Sequence, residues 1–129
     1  MSILNQVDSG VLNGEDIRFL LAETAEAPIG KPSGKMITDT DAFSFVYLFD
    51  EEEGYSYYHF PKAVWPLMAD ALKMDKDPVL SWNDGDINLT GFKEELTMLV
   101  FNIEGNDNYG EEFTSAVELA FSTILQDAE

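Results

Sequence analysis

Phe43-Ser44-Phe45-Val46-Tyr47-Leu48-Phe49, then Asp50-Glu51-Glu52-Glu53-Gly54, then Tyr55-Ser56-Tyr57-Tyr58-His59-Phe60: this stretch decides the fold. Two runs rich in aromatic and β-branched residues flank a five-residue acidic turn that ends in glycine, which is the pattern of a β-hairpin. Side chains alternate across a strand. Phe43, Phe45, Tyr47 and Phe49 therefore share one face, and Ser44, Val46 and Leu48 the other. On the partner strand Tyr55 and Tyr57 fall on one face, Tyr58 and Phe60 on the other. A hairpin apolar on both faces needs cover on both. Either helices supply it twice, or a partner occupies one face. Tyrosine suits such a surface because it pairs apolar area with a polar tip. Tyr47, Tyr55, Tyr57, Tyr58 and His59 are the candidate interaction residues.

Outward from the hairpin, Ser2–Val7 and Asp16–Ala22 read as strands around a turn region at Asp8–Glu15 that holds Gly10 and Gly14. Glu23–Lys35, with two prolines, two glycines and small residues, reads as a surface loop. Lys35–Thr38 reads as a short strand. Pro78–Trp82 and Asp86–Thr90 form a second hairpin around Asn83-Asp84-Gly85, since Asp-Gly is a favoured tight turn. Three helices follow from apolar spacing. The first lies within Pro61–Met74, with Pro66 marking a kink or the true start. The second covers Phe92–Glu104, with Phe92, Leu96, Leu99, Val100 and Ile103 on one face and Gly105 as its stop. The third covers Tyr109–Gln126, capped by Asn108 with Glu111 completing a capping box. The expected architecture is an α+β domain spanning residues 1–129: an antiparallel sheet of five to seven short strands with three helices, the last two forming an antiparallel helical hairpin.

Composition bounds the chemistry. Among 129 residues there is no cysteine and one histidine, His59. Thiol catalysis, thiolate metal sites and disulfides are excluded, and a histidine cage or relay nearly so. Asp and Glu number 25 against 7 Lys and Arg, a net charge of −18. Phosphate backbones and anionic lipid are repelled by such a chain, and basic protein surfaces are attracted. Leu, Ile, Val and Phe exceed the roughly 20% below which a highly charged chain tends to stay unfolded. The first residues carry no basic, apolar leader pattern, and no apolar run approaches the roughly 20 residues of a membrane span. The cytoplasm is the expected compartment, with no cofactor.

Three carboxylate clusters offer oxygens that a cation could use. Asp84–Glu95 places oxygens at loop positions 1, 3, 5, 7 and 12 of a calcium loop, but position 6 is Leu89 where the sharp turn needs glycine. It reads instead as a hairpin turn, a strand and a helix start. Asp39 and Asp41 bracket a turn, and Asp107, Glu111 and Glu112 sit at a helix–helix connection whose Asn and Asp residues suit turns and caps. These five are weak cation candidates. No residue pattern marks a catalytic group: nucleophile elbow, phosphate loop and dinucleotide fingerprint are all missing from the sequence.

Gly34-Lys35-Met36-Ile37-Thr38-Asp39-Thr40-Asp41-Ala42-Phe43-Ser44-Phe45-Val46-Tyr47-Leu48, continuing to Pro61 and Trp65, together with Asn102-Ile103-Glu104-Gly105-Asn106-Asp107-Asn108-Tyr109-Gly110-Glu111-Glu112, resembles an uncharacterised family of short acidic cytosolic proteins of Bacillus-type bacteria. That resemblance implies a bacterial cytoplasmic protein and brings no assigned activity. The leading functional reading is a non-catalytic protein-binding or interaction module with a protein partner of basic character or a second copy of itself. A small cation-binding protein or carboxylate enzyme is the alternative, and a nucleic-acid mimic the third.

Overall fold

The computed structural model describes residues 5–127. The strands are β1 (Asn5–Asn13), β2 (Asp16–Leu21), β3 (Lys31–Asp39), β4 (Ser44–Glu51), β5 (Gly54–Pro61), β6 (Val79–Trp82) and β7 (Gly85–Asn88). The helices are α1 (Trp65–Met74), α2 (Phe92–Ile103), α3 (Glu111–Ala120) and α4 (Ser122–Asp127). All seven strands join one sheet in the order β3-β4-β5-β1-β2-β6-β7.

The aromatic hairpin forms as read, with Phe45 opposite Phe60 and Tyr47 opposite Tyr58. The second hairpin, β6–β7, also forms, with Trp82 opposite Gly85. The sheet is mixed, however, and not purely antiparallel: β1 runs parallel to β5 and β2 parallel to β6. Turn residues specify which neighbours fold back on each other, but they carry no information about pairing between distant strands. β1 also extends through the expected turn region, so the tight turn lies only at Gly14, between Asn13 and Asp16. The part of the expected Ser2–Val7 strand at residues 2–4 lies outside the described residues. β3 begins at Lys31, inside the expected loop, and its glycine and proline are absorbed by a register shift between Pro32 and Lys35. Phe43 belongs to the turn and not the strand, with φ 50°. A bulky side chain there is a real backbone outlier; its ring lies 5.8 Å from that of Phe113.

Pro66 falls in the first turn of α1, where its missing N–H costs no helical bond, and a short 3₁₀ turn at Lys62–Val64 leads into it. α2 starts where Asp77 accepts hydrogen bonds from Gly91 N (3.3 Å) and Lys93 N (3.0 Å). Gly91 has φ 76°, and a Cβ on it would come within 2.9 Å of Gly34 Cα, so these two glycines let α2 and β3 meet backbone to backbone. The expected third helix is two. Phe121 leaves helical geometry (φ −110°, ψ 22°) and separates α3 from α4. Its start also differs: Gly110 is the cap, and Asn106, not Asn108, accepts a bond, from Asn108 N at 3.0 Å. The last two helices are thus α3 and α4, set end to end, and the pair expected as a helical hairpin is α2 and α3, which touch across Glu104–Gly110. The four-residue spacing of Phe113, Val117, Phe121 and Leu125 still places all four in the core.

One core cluster joins the helices to one face of the sheet, hereafter the inner face. It takes Phe45, Tyr47 and Phe49 from β4, Tyr58 and Phe60 from β5, Phe19 from β2, and Trp65, Phe92 and Phe113 from the helices. Rings meet at 5.1 Å for Phe45 and Trp65 and 5.5 Å for Phe60 and Phe92. Trp65 Nε1 donates to Phe60 O at 3.0 Å, so the indole is buried with its donor satisfied. No helix among the described residues is long and apolar enough to cross a membrane.

Candidate interaction surface

The opposite, outer face of β3–β4–β5 is built by alternation. Because Phe45, Tyr47 and Phe49 point inward, Val46, Leu48 and Asp50 point outward. Strand pairing then aligns Lys35, Leu48 and Tyr57 in one row and Ile37, Val46 and His59 in the next. Asp50 and Tyr55 lie beyond one end and Asp39 and Ser44 beyond the other. Val46 and Leu48 are 2% and 7% exposed, yet neither belongs to the core cluster. They lie outside the cluster that the helices cover, with the same-face side chains of β3 and β5 beside them. Those neighbours stay wet: Ile37 is 45% exposed, Tyr55 39% and Tyr57 47%.

Two polar groups punctuate this face. Lys35 Nζ donates to the Tyr55 hydroxyl at 3.1 Å and stands 5.4 Å from the ring centre. That hydrogen bond raises the affinity of Lys35 for its proton. His59 is pushed the other way: burial favours the neutral imidazole and lowers its pKa, while Asp39 pulls against that. Between the two rows of strand centres lies no carboxylate. Two buried aliphatic side chains, Val46 and Leu48, beneath a tyrosine rim match the composition of an interface core.

The five candidate interaction residues separate. Tyr55, Tyr57 and His59 lie together on the outer face. Tyr47 and Tyr58 lie inside, 0% and 1% exposed. The Tyr47 hydroxyl donates to Thr90 O and accepts from Gly34 N at 3.3 Å; the Tyr58 hydroxyl donates to Glu26 O at 2.7 Å. Burial pushes both phenols up to about 12. They tie loops to the inner face and are closed to any partner. Ile37 and Lys35 complete the surface and were not singled out from sequence, although the alternation of Lys35, Ile37 and Asp39 with buried Met36 was the available signal.

The carboxylate clusters fall at separate places. Asp39 Oδ1 accepts from Ala42 N at 3.2 Å, closing the β3–β4 turn. Asp41, Glu111 and Glu112 line one open hollow beside Phe43 and Tyr109, with Asp107 in the 3₁₀ turn just before it. Within the Asp84–Glu95 stretch, Asp86 pairs with Arg18 at 3.0 Å, Leu89 is fully buried, and Glu95 Oε1 accepts from Met36 N at 3.4 Å. This last bond places a carboxylate on a backbone donor of edge strand β3. Among the described residues no group of three or more histidines and carboxylates gathers as a metal ion would require.

Comparison with known proteins adds a family. A UPF0738 protein of Lysinibacillus sphaericus is 50% identical over 95 residues, 74% of this chain and 75% of that one. UPF0738 proteins of Bacillus cytotoxicus and Bacillus mycoides are 38% and 37% identical over 109 residues, 83% of this chain and 89% of theirs. No solved structure matches. The profile of a family of unknown function, UPF0738, matches residues 5–121, and the chain belongs to that family.

Proposed function

We propose that this chain is a non-catalytic, cytoplasmic interaction protein that docks a protein surface on the outer face of β3–β4–β5. One observation supports this reading above others. Val46 and Leu48 are buried on a face that no helix covers, beneath Ile37, Tyr55 and Tyr57, each more than a third exposed. On a chain with 25 acidic residues, the centre of this face holds none. Charge there would have to be desolvated on contact, so its exclusion favours a dry interface. The aromatic rim supplies rigid anchors of the kind that dominate binding energy.

The test is a photoreactive amino acid placed at Tyr57 or, as a control, at exposed Asn102 of α2, in cells of the host bacterium. An adduct of defined mass formed from Tyr57 and not from Asn102 is the expected result. Equal adducts from both positions, or none from Tyr57, would overturn the reading.

A further inference from the structure

We infer that the occupant of the outer face is a second copy of this chain, bound across a two-fold axis that lies in the face and perpendicular to the strands. The inference rests on the docking role proposed above and adds the partner.

Charge chooses the occupant. The paired rows of the outer face carry Lys31 and Lys35 against Asp39 and Asp50, a balance of zero on a chain of net charge −18, and the acidic turn Glu51–Glu53 stands at the rim beside Lys31. A basic partner would find stronger attraction on the acidic remainder of the molecule than on these paired rows. Their charges are also ordered. Lys31 opens β3 and Asp39 ends it, with the rows of Leu48 and Val46 between and Lys35 at the edge of the first. A two-fold axis between the row of Leu48 and the row of Val46 inverts the strand direction in the second copy. Lys31 then stands over Asp39 of the second copy, and Asp39 over its Lys31. Leu48 meets Val46 and Tyr57 meets His59 in the same way. Such reciprocity is what an isologous interface requires, and stacked sheets meet at about 10 Å.

Area sets the strength. Three strands of eight or nine residues cover roughly 25 by 15 Å in plan at about 3.3 Å per residue and about 4.8 Å per strand. That is below the roughly 800 Å² per partner of a standard interface, so the dimer is weak and concentration-dependent. Salt has a diagnostic sign: it screens repulsion between two acidic chains and so strengthens self-pairing, whereas it would weaken the binding of a basic partner.

The experiment is sedimentation equilibrium of the full chain from micromolar to millimolar concentration. The weight-average mass should climb from 14.4 kDa toward twice that value, and further as sodium chloride is raised to physiological strength. Tyr57→Asp should hold it at the monomer. Lys31→Glu should weaken association about tenfold, because two exposed pairs turn from attraction to repulsion, and the exchange Lys31→Glu with Asp39→Lys should recover most of that loss. In the unmodified chain, concentration-dependent amide shifts should centre on Ile37, Leu48 and Tyr57. A monomer at every concentration, a dimer indifferent to Tyr57→Asp, or shifts centred elsewhere would each overturn the inference. A strict monomer that still forms the Tyr57 adduct with another protein overturns the self-pairing alone; a monomer without that adduct removes the docking role as well.

Discussion

Replacing Phe45 and Leu48 by alanine, one at a time, measures the difference between the two faces of the sheet. The residues are three apart on the same strand, and both are nearly inaccessible to water. Phe45 lies between helices: its ring is 5.1 Å from Trp65 and 5.8 Å from Phe121. Truncation there leaves a cavity whose walls are rigid, and a loss of about 3–5 kcal/mol is expected. Leu48 lies outside the helix-covered cluster, between its strand partners Lys35 and Tyr57, both exposed to water. Its neighbours can close over alanine or water can enter, so no cavity term arises. The three deleted carbons carry at most about 2.4 kcal/mol of transfer energy at about 0.8 per carbon, and incomplete shielding reduces this to about 1–2 kcal/mol. Urea unfolding at a concentration low enough to keep the chain monomeric reads both values. Small domains have about 5–15 kcal/mol of stability in all, so the gap is readily resolved. A Leu48→Ala loss equal to that of Phe45→Ala would mean that the outer face is covered from above, and the docking surface would not exist.

Three further expectations concern capping and charge. Asp77→Ala removes both acceptors at the start of α2 and should cost about 0.5–2 kcal/mol, with Asp77→Asn keeping part of it; equal unfolding midpoints for wild type and Asp77→Ala would contradict the cap. His59 is held neutral by burial, so the unfolded chain takes up a proton first as pH falls below 6.5. The His59 contribution should therefore decline from there down to the lowered pKa of the folded state and be constant at neutral pH. His59→Gln should lose this dependence, and an imidazole titration by NMR at or above the ordinary value would refute it. Raising sodium chloride from low to physiological strength should raise the melting temperature, because 18 uncompensated negative charges repel one another less when screened; a flat or falling melting temperature would show that self-repulsion contributes little.

The hairpins were legible because each announces itself locally: the acidic Gly-ended turn at Asp50–Gly54 and Asp84-Gly85 need no distant information. The apolar spacing of Phe92, Leu96, Val100 and Ile103 identified α2 and its buried face for the same reason. The mixed sheet was not legible, since nothing in Asn5–Gln6 names Tyr58–His59 as its neighbour. Nor was the sorting of the tyrosines. Alternation divides Tyr55 and Tyr57 from Tyr58 but is silent on which set the helices cover. That depends on where α1 and α3 lie in space, and thus on Trp65 and Phe113 meeting Phe45. The break at Phe121 escaped because the four-residue spacing continues across it.

The two parallel seams bear on how the chain is made. β1 and β2 leave the ribosome before the other strands of the sheet and can pair at once through the turn at Gly14, but the neighbours that complete them are β5 and β6. Asn5 waits for Tyr58, and Arg18 for Val79. Until then one hairpin carries Val7, Ile17 and Phe19 with nothing to pack against, and two strand edges with unpaired backbone. Closing such distant contacts is entropically slow, and exposed edges of this kind are where nascent chains associate wrongly. With only Arg18 and no lysine before Lys31, the waiting segment is already acidic. Like charge on such segments opposes their association for the interval that the fold's own topology imposes.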